Sequence, residues 1–200
     1  MKIGIDIDGV LTDVIRYACD YGSKFFFEKY GKLDININAW SLKDMFNVTD
    51  KEDKECWLSL INDYSINQSA RPFASEVIKK IKDEDNEVYI ITARGASKWD
   101  DIDGKIDNTL TIWLKNNNIK YDKLIISKDK LEECRKYNID VMIEDKVENI
   151  NIISKELPVI CFNENHNKDI KGKNIYRAYS WYDVYCKYLK IKENMNNEKK

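Results

Sequence analysis

The 200 residues carry 33 Lys and Arg against 35 Asp and Glu, with 43% hydrophobic and 34% charged positions. That balance fits one domain with a sizeable core and room for an inserted subdomain. It lacks the basic excess that clamping long nucleic acid demands, while leaving small anionic substrates open.

In chain order, the first element is the run MKIGIDIDGVLTDV. Residues 2–7 read as an apolar strand interrupted by Asp6 and Asp8. A run so short and acidic is unlike a signal peptide, and no stretch approaches the ~20 apolar residues of a membrane span. Residues two apart on a strand face the same way, so the two carboxylates are expected together at its end, where Gly9 permits a sharp exit. Close carboxylates repel unless a cation or a shared proton relieves them. Mg²⁺ does this with one or two protein carboxylates plus water and phosphate.

About 80 residues separate this strand from the next, far more than one crossover helix needs. Residues 14–71 are expected to form a helical subdomain over the sheet edge, rich in aromatics. Tyr17, Tyr21 and Phe25 are spaced four apart and share a helix face; they read as the insert's own core or as a surface that stacks on a substrate ring.

The core of the chain is expected in residues 1–13 and 72–192. Strands are predicted at 87–92 (EVYIIT), 123–127 (KLIIS), 140–143 (DVMI) and 158–162 (PVICF), with a weaker one at 174–176. Helices are predicted at 72–84, with Pro72 in the first turn, and at 105–117, 129–137, 147–155 and 180–191. Strands alternating with helices imply an α/β fold with a parallel sheet covered on both faces. Residues 193–200 are expected to be a disordered tail. His166 lies in the polar stretch NENHNKD and is expected as solvated surface, which argues against a histidine-based site. Cys19, Cys56, Cys134, Cys161 and Cys186 are odd in number with no CxxC pair, which argues against zinc and disulfides and for reduced thiols in the cytoplasm.

Four polar signals follow directly on apolar runs: Asp6 with Asp8, Thr92-Ala93-Arg94, Lys128-Asp129-Lys130 and Glu144-Asp145. A parallel sheet gathers such positions at one edge, where it binds ligands. A hydroxyl with adjacent backbone N–H groups at a strand-to-helix turn suits phosphate oxygens, and either lysine offers a counter-charge.

The order DIDGVLTD, IITAR, SKDK, VMIEDKVEN resembles the four motifs of the haloacid-dehalogenase (HAD) superfamily of phosphatases over residues 1–163. Within it, DxDGVLTD with a helical insert after strand one is most similar to the 5'(3')-deoxyribonucleotidases, and TARG…TIWLKNNNIKYDKLIISKDK to HAD hydrolases named as nucleotidases. The resemblance implies a Rossmann-like three-layer α/β/α sheet with residues 14–71 as a cap. It implies a Mg²⁺-dependent phosphomonoesterase acting on small substrates, nucleoside monophosphates first. Asp6 would be the nucleophile and a metal ligand. Asp8 would be the general acid and base, with its backbone carbonyl on the metal. Thr92 and Ala93 would bind phosphate and Lys130, rather than Lys128, would offset charge. Asp145 would complete the metal site, with Glu144 as a ligand or its support. Arg94, Phe25 and Trp40 are candidate substrate contacts; Arg71 is expected to frame the hinge or be solvated, and Asp13 to fix the loop.

Two departures stand out: Val14 replaces the phenylalanine that stacks the base in that group, and Glu144 replaces the first of two aspartates. A sugar phosphate or a nucleic-acid 3'-end remains open as substrate, as does assembly into a homodimer. A phospho-receiver is disfavoured by the insert and by the motif order, and a silent binding module by the presence of both Asp6 and Asp8.

Overall fold

The computed structural model describes residues 1–96 and 106–198. Six strands form one parallel sheet: β1 (Lys2–Ile5), β2 (Glu87–Thr92), β3 (Lys123–Ile126), β4 (Val141–Glu144), β5 (Val159–Phe162) and β6 (Ile175–Ala178). Their spatial order is β3-β2-β1-β4-β5-β6. β1 pairs with β2 on one side (Ile3 opposite Val88) and with β4 on the other (Ile3 opposite Val141). Chain order reverses there, which makes the carboxyl end of β1 the place where such a sheet opens a crevice.

Side-chain alternation along the strands assigns the helices to two layers. Ile3, Ile5, Val88, Ile90, Val141 and Ile143 pack in one cluster with α4 (Ala74–Lys82), α5 (Ile106–Asn116) and α8 (Trp181–Glu198). Tyr89, Ile91, Met142 and Val159 pack in another with α6 (Lys130–Tyr137) and α7 (Val147–Ile153). Both faces of the sheet are therefore apolar, as the runs in the sequence required.

Between β1 and β2 lie α1 (Val14–Tyr30), α2 (Leu42–Phe46) and α3 (Asp50–Asn67). Each begins on a side-chain cap: Asp13 accepts from the Arg16 N–H, Ser41 from Asp44, and Thr49 and Glu52 form a reciprocal capping box. Phe26, Leu42, Met45, Phe46 and Cys56 make a cluster of their own among these three helices. Gly22 lets α1 approach α2, because a Cβ there would lie 2.7 Å from the Phe46 ring.

Two expectations change. Pro72 lies in the turn before α4, where Phe73 takes a left-handed φ of 65°. The segment expected as a disordered tail is helical through Glu198, with residues 199–200 outside the described residues. Trp181, Val184, Tyr188 and Ile191 are buried and Met195 packs on the same cluster, so one apolar stripe carries α8 past residue 192. Residue 105, predicted to begin a helix, also lies outside the described residues. All five cysteines are free thiols.

Candidate active site

The loop after β1 is wound tightly on its own backbone: the Ile7 carbonyl accepts from the N–H groups of Val10, Leu11 and Thr12 at 2.9–3.3 Å. Gly9 sits at φ 84°, and a Cβ on it would fall 2.0 Å from Asp145 Oδ2. Only glycine satisfies both the left-handed backbone and that approach. β1 ends at Ile5, so Asp6 and Asp8 lie beyond the regular strand and take different partners rather than sharing one.

Asp6 belongs to a buried acidic centre. Carboxylate oxygens of Asp6, Glu144 and Asp145 lie within 4.8 Å of one another. Lys130, the first residue of α6 and 3% exposed, sets its Nζ 2.7 Å from Asp6 Oδ2 and 2.7 Å from Glu144 Oε2. Glu144 also accepts from the N–H groups of Asp145 and Lys146 and from Asn149 Nδ2. Burial opposes its charge, but Lys130 and those donors hold its carboxyl below the usual range. Asp6 lacks such donors: burial outweighs Lys130 and pushes it up to about 7. Asp145 is raised well above the usual carboxylate range by burial and by repulsion from Glu144 and Asp6.

Among the described residues, Asp6 Oδ1 and both carboxylate oxygens of Asp145 are buried with no hydrogen-bond partner. Buried acceptors are normally satisfied. Three unpaired oxygens of raised basicity, converging within one small space, fit a hard divalent cation. Glu144, saturated by its own donors, is the support of Lys130 in this arrangement. Lys128 is exposed.

Asp8 faces the other way into the site. Arg94 reaches it with its terminal nitrogen and with Nε (3.2 Å to Oδ2), and the Tyr64 hydroxyl donates to Oδ1. Against the cost of burial, the guanidinium holds this carboxyl below its usual range. Thr92 ends β2 fully buried, its hydroxyl accepting from the Arg94 N–H at 3.1 Å, while Ala93 is exposed beside it. Above Asp8 opens a cavity of about 330 Å³ walled by Trp40, Trp57, Tyr64, Val14, Ala93 and Arg94, among others. A larger groove of about 700 Å³, between Tyr30 and Glu52, shares no residue with the carboxylates of this site.

Arg71 is a structural tie rather than a solvated residue: it donates to the carbonyls of Thr12 (3.2 Å) and Gly9 (3.3 Å) and pairs with Asp13 and Glu164. Phe25 is half-buried, stacks edge-on against Phe26 in the cluster of the insert, and is absent from the cavity walls; Trp40 is in them. Tyr17 is buried and stacks on exposed Tyr21, so that face serves the packing of the insert. His166 is not solvated: its side chain is 6% exposed, with Nε2 3.1 Å from the Asp145 carbonyl and its ring 4.9 Å from Trp40. Burial lowers its pKa. No sequence signal marked it, since a polar segment folds back over β4 only through tertiary contacts. Tyr64 was missed as well, although its spacing from Trp57 and Ile61 sets all three on one face of α3.

The family model for 5' nucleotidase, deoxy (pyrimidine), cytosolic type C protein (NT5C) matches residues 1–194. A protein of Bacillus subtilis (strain 168) named "Putative nucleotidase YqfW" is 29% identical over 208 residues, covering 100% of this chain and 95% of the relative. Among solved structures, a haloacid dehalogenase-like family hydrolase from Xanthomonas campestris superposes with a TM-score of 0.61 at 10% identity, covering 98% of each chain. A D,D-heptose 1,7-bisphosphate phosphatase from B. bronchiseptica, complexed with magnesium and phosphate, gives 0.52 at 12% identity over 95% of this chain and 99% of that one. At those identities the structural likeness is one of fold.

Proposed function

The chain belongs to the 5' nucleotidase, deoxy (pyrimidine), cytosolic type C family of phosphoric monoester hydrolases, and from that premise we propose that it dephosphorylates nucleoside monophosphates through an aspartyl-phosphate on Asp6. The observation that carries the chemistry is the set of unpaired buried oxygens on Asp6 and Asp145 beside the Lys130 ammonium. Asp6 and Asp145, with the Asp8 backbone carbonyl, would hold Mg²⁺, which supplies charge neutralisation for the phosphoryl group.

In this reading a carboxylate oxygen of Asp6 attacks phosphorus as the ester P–O bond breaks. The electron pair leaves on the ester oxygen, which takes a proton from Asp8; Asp8, a carboxylate in the free protein, first receives that proton from the monoanionic form of the phosphate ester as it binds. Water then attacks the aspartyl-phosphate, giving its proton to the Asp8 carboxylate, and inorganic phosphate departs with Asp6 restored. Lys130 keeps Asp6 in place and offsets charge on the transferring group. The Ala93 turn supplies backbone N–H groups to phosphate oxygens; the buried Thr92 hydroxyl shapes that turn by accepting from Arg94.

Residues 14–71 act as a cap in this scheme, closing over the substrate and excluding water. The aromatic walls, Trp40 and Trp57, suit a nucleobase and stand in for the phenylalanine that Val14 replaces. A free phosphomonoester and a cytoplasmic setting complete the reading. Among the described residues, no helix is long and apolar enough to cross a membrane.

The test is Mg²⁺-dependent phosphate release from 5'- and 3'-ribo- and deoxyribonucleotides, sugar phosphates and a 3'-phosphorylated oligonucleotide, with Asp6→Asn as the blank. Selective release from nucleotides, abolished by Asp6→Asn or EDTA, is expected. Release confined to the other esters refutes the nucleotide assignment and keeps the mechanism.

A further inference from the structure

We propose that Tyr64, together with Arg94, is a positioning residue for proton transfer by Asp8, an assignment that rests on the phosphatase reading above. Tyr64 lies in the last turn of α3, is 2% exposed and packs between Tyr17 (4.9 Å) and Trp57 (5.8 Å). Its ring belongs to the insert, yet its hydroxyl enters the chemistry of the core.

A buried tyrosine needs one partner for its hydroxyl, and one would suffice for packing. Here three converge: Asp8 Oδ1, Arg94 at 3.1 Å and Thr12 Oγ1 at 2.7 Å. A phenol has one proton and two lone pairs. Asp8 is acceptor-only as a carboxylate and Arg94 is donor-only, so the phenolic proton goes to Asp8 and the lone pairs receive Arg94 and Thr12. The guanidinium carbon also sits over the Tyr64 ring, 4.6 Å from its centroid. Tyr64 and Arg94 therefore lock one another, and both donate to the same oxygen of Asp8.

That arrangement divides the two oxygens of Asp8 by task. Among the described residues, Oδ1 is anchored by the phenol and by the terminal nitrogen of Arg94, whereas Oδ2 has only the 3.2 Å contact from Arg94 Nε. When the ester bond breaks, the leaving oxygen takes its electron pair and the proton from Oδ2. Asp8 is left as a carboxylate whose charge the two donors on Oδ1 are already placed to receive. The hydroxyl of a helix from the insert thus fixes the aim of the proton donor, and the insert takes part in bond cleavage without touching the phosphoryl group.

A positioning role of this kind predicts a dependence on the leaving group. A nucleoside alkoxide must be protonated as it departs; p-nitrophenolate needs no proton. In Tyr64→Phe, kcat/KM for a 5'-nucleotide, which reads the steps up to departure of the leaving group, is expected to fall about 10- to 100-fold. On p-nitrophenyl phosphate, kcat/KM is expected to stay within about 3-fold of the parent, since p-nitrophenolate departs without a proton and the hydrolysis of the aspartyl-phosphate, common to both esters, does not enter kcat/KM. Arg94→Gln is expected to show the same asymmetry, and Asp8→Asn to set its full size. Equal losses on both esters, or none on either, overturn the proposal while leaving a working phosphatase. A parent protein inert on both esters overturns the phosphatase reading, and this one with it.

Discussion

Replacing Lys130 with methionine isolates the charge balance on which the acidic centre depends. Its ammonium lies 2.7 Å from both Asp6 and Glu144, and its side chain is almost wholly enclosed. Methionine fills a similar volume and removes the charge, leaving carboxylates without the cation they were buried with. Breaking one partner of a buried pair costs about 3–5 kcal/mol, because the survivor is buried uncompensated. Glu144 keeps its three other donors, so the cost falls mainly on Asp6. With a urea slope of about 2 kcal/mol/M, the unfolding midpoint of the cation-free protein should drop by about 2 M at pH 8. At pH 5 the drop should be smaller, because Asp6 then binds a proton instead of standing charged. Urea titrations followed by tryptophan fluorescence, with and without Mg²⁺, read both effects. A midpoint at pH 8 within about 0.3 M of the parent, given the same slope, would refute the placement of that charge.

Gly9→Ala should destabilise the protein by about 2–4 kcal/mol, combining a left-handed φ with a Cβ overlapping Asp145. Displacing that carboxylate should also weaken Mg²⁺ binding about 10-fold or more, readable by calorimetry as a loss of about 1.4 kcal/mol. The parent carries its own pH signature. Asp6 is held at about 7 when folded, against ~3.9 unfolded, so its contribution is favourable below about pH 4 and is lost as pH rises towards 7. The melting temperature in EDTA should therefore fall over that window. Mg²⁺ should flatten the fall and release protons, seen as a buffer-dependent binding enthalpy; a flat profile in EDTA would count against the raised carboxyl. Trp40→Ala should raise KM for a nucleotide about 10-fold by removing a stacking face, with kcat on p-nitrophenyl phosphate unchanged; an unchanged KM places the base elsewhere.

The sheet was legible because its buried strands are short, mostly apolar runs, and even the weak run at 174–176 became part of β6. The acidic centre was legible for a related reason: Asp6, Thr92 and Glu144-Asp145 sit at or next to a strand end and Lys130 opens the helix after β3, and a parallel sheet aligns those ends. Helical positions gave less. Phe25, Phe26 and Phe27 are consecutive, so spacing alone could not tell that Phe26 is buried, Phe27 exposed and Phe25 turned to the cluster of the insert. Tyr64 and His166 reach the site through contacts with residues 56 and 21 positions away, which no local pattern encodes. The end of α8 was misjudged because polar composition hid Met195, the last member of an apolar stripe.

The chain enters the three helices of the insert after Thr12 and comes back beside that point at Arg71, where the Arg71 N–H meets the Leu11 carbonyl at 2.7 Å and its guanidinium grips Gly9, Thr12 and Asp13. Departure and return are thus sewn together by bonds that owe nothing to what lies between them. The entropy of holding two ends together grows only with the logarithm of the intervening length. Evolution can therefore lengthen, shorten or exchange the intervening helices at little cost to the core, provided the seam is kept. Whatever the three helices contribute, the arginine holds both of their ends against the loop after β1.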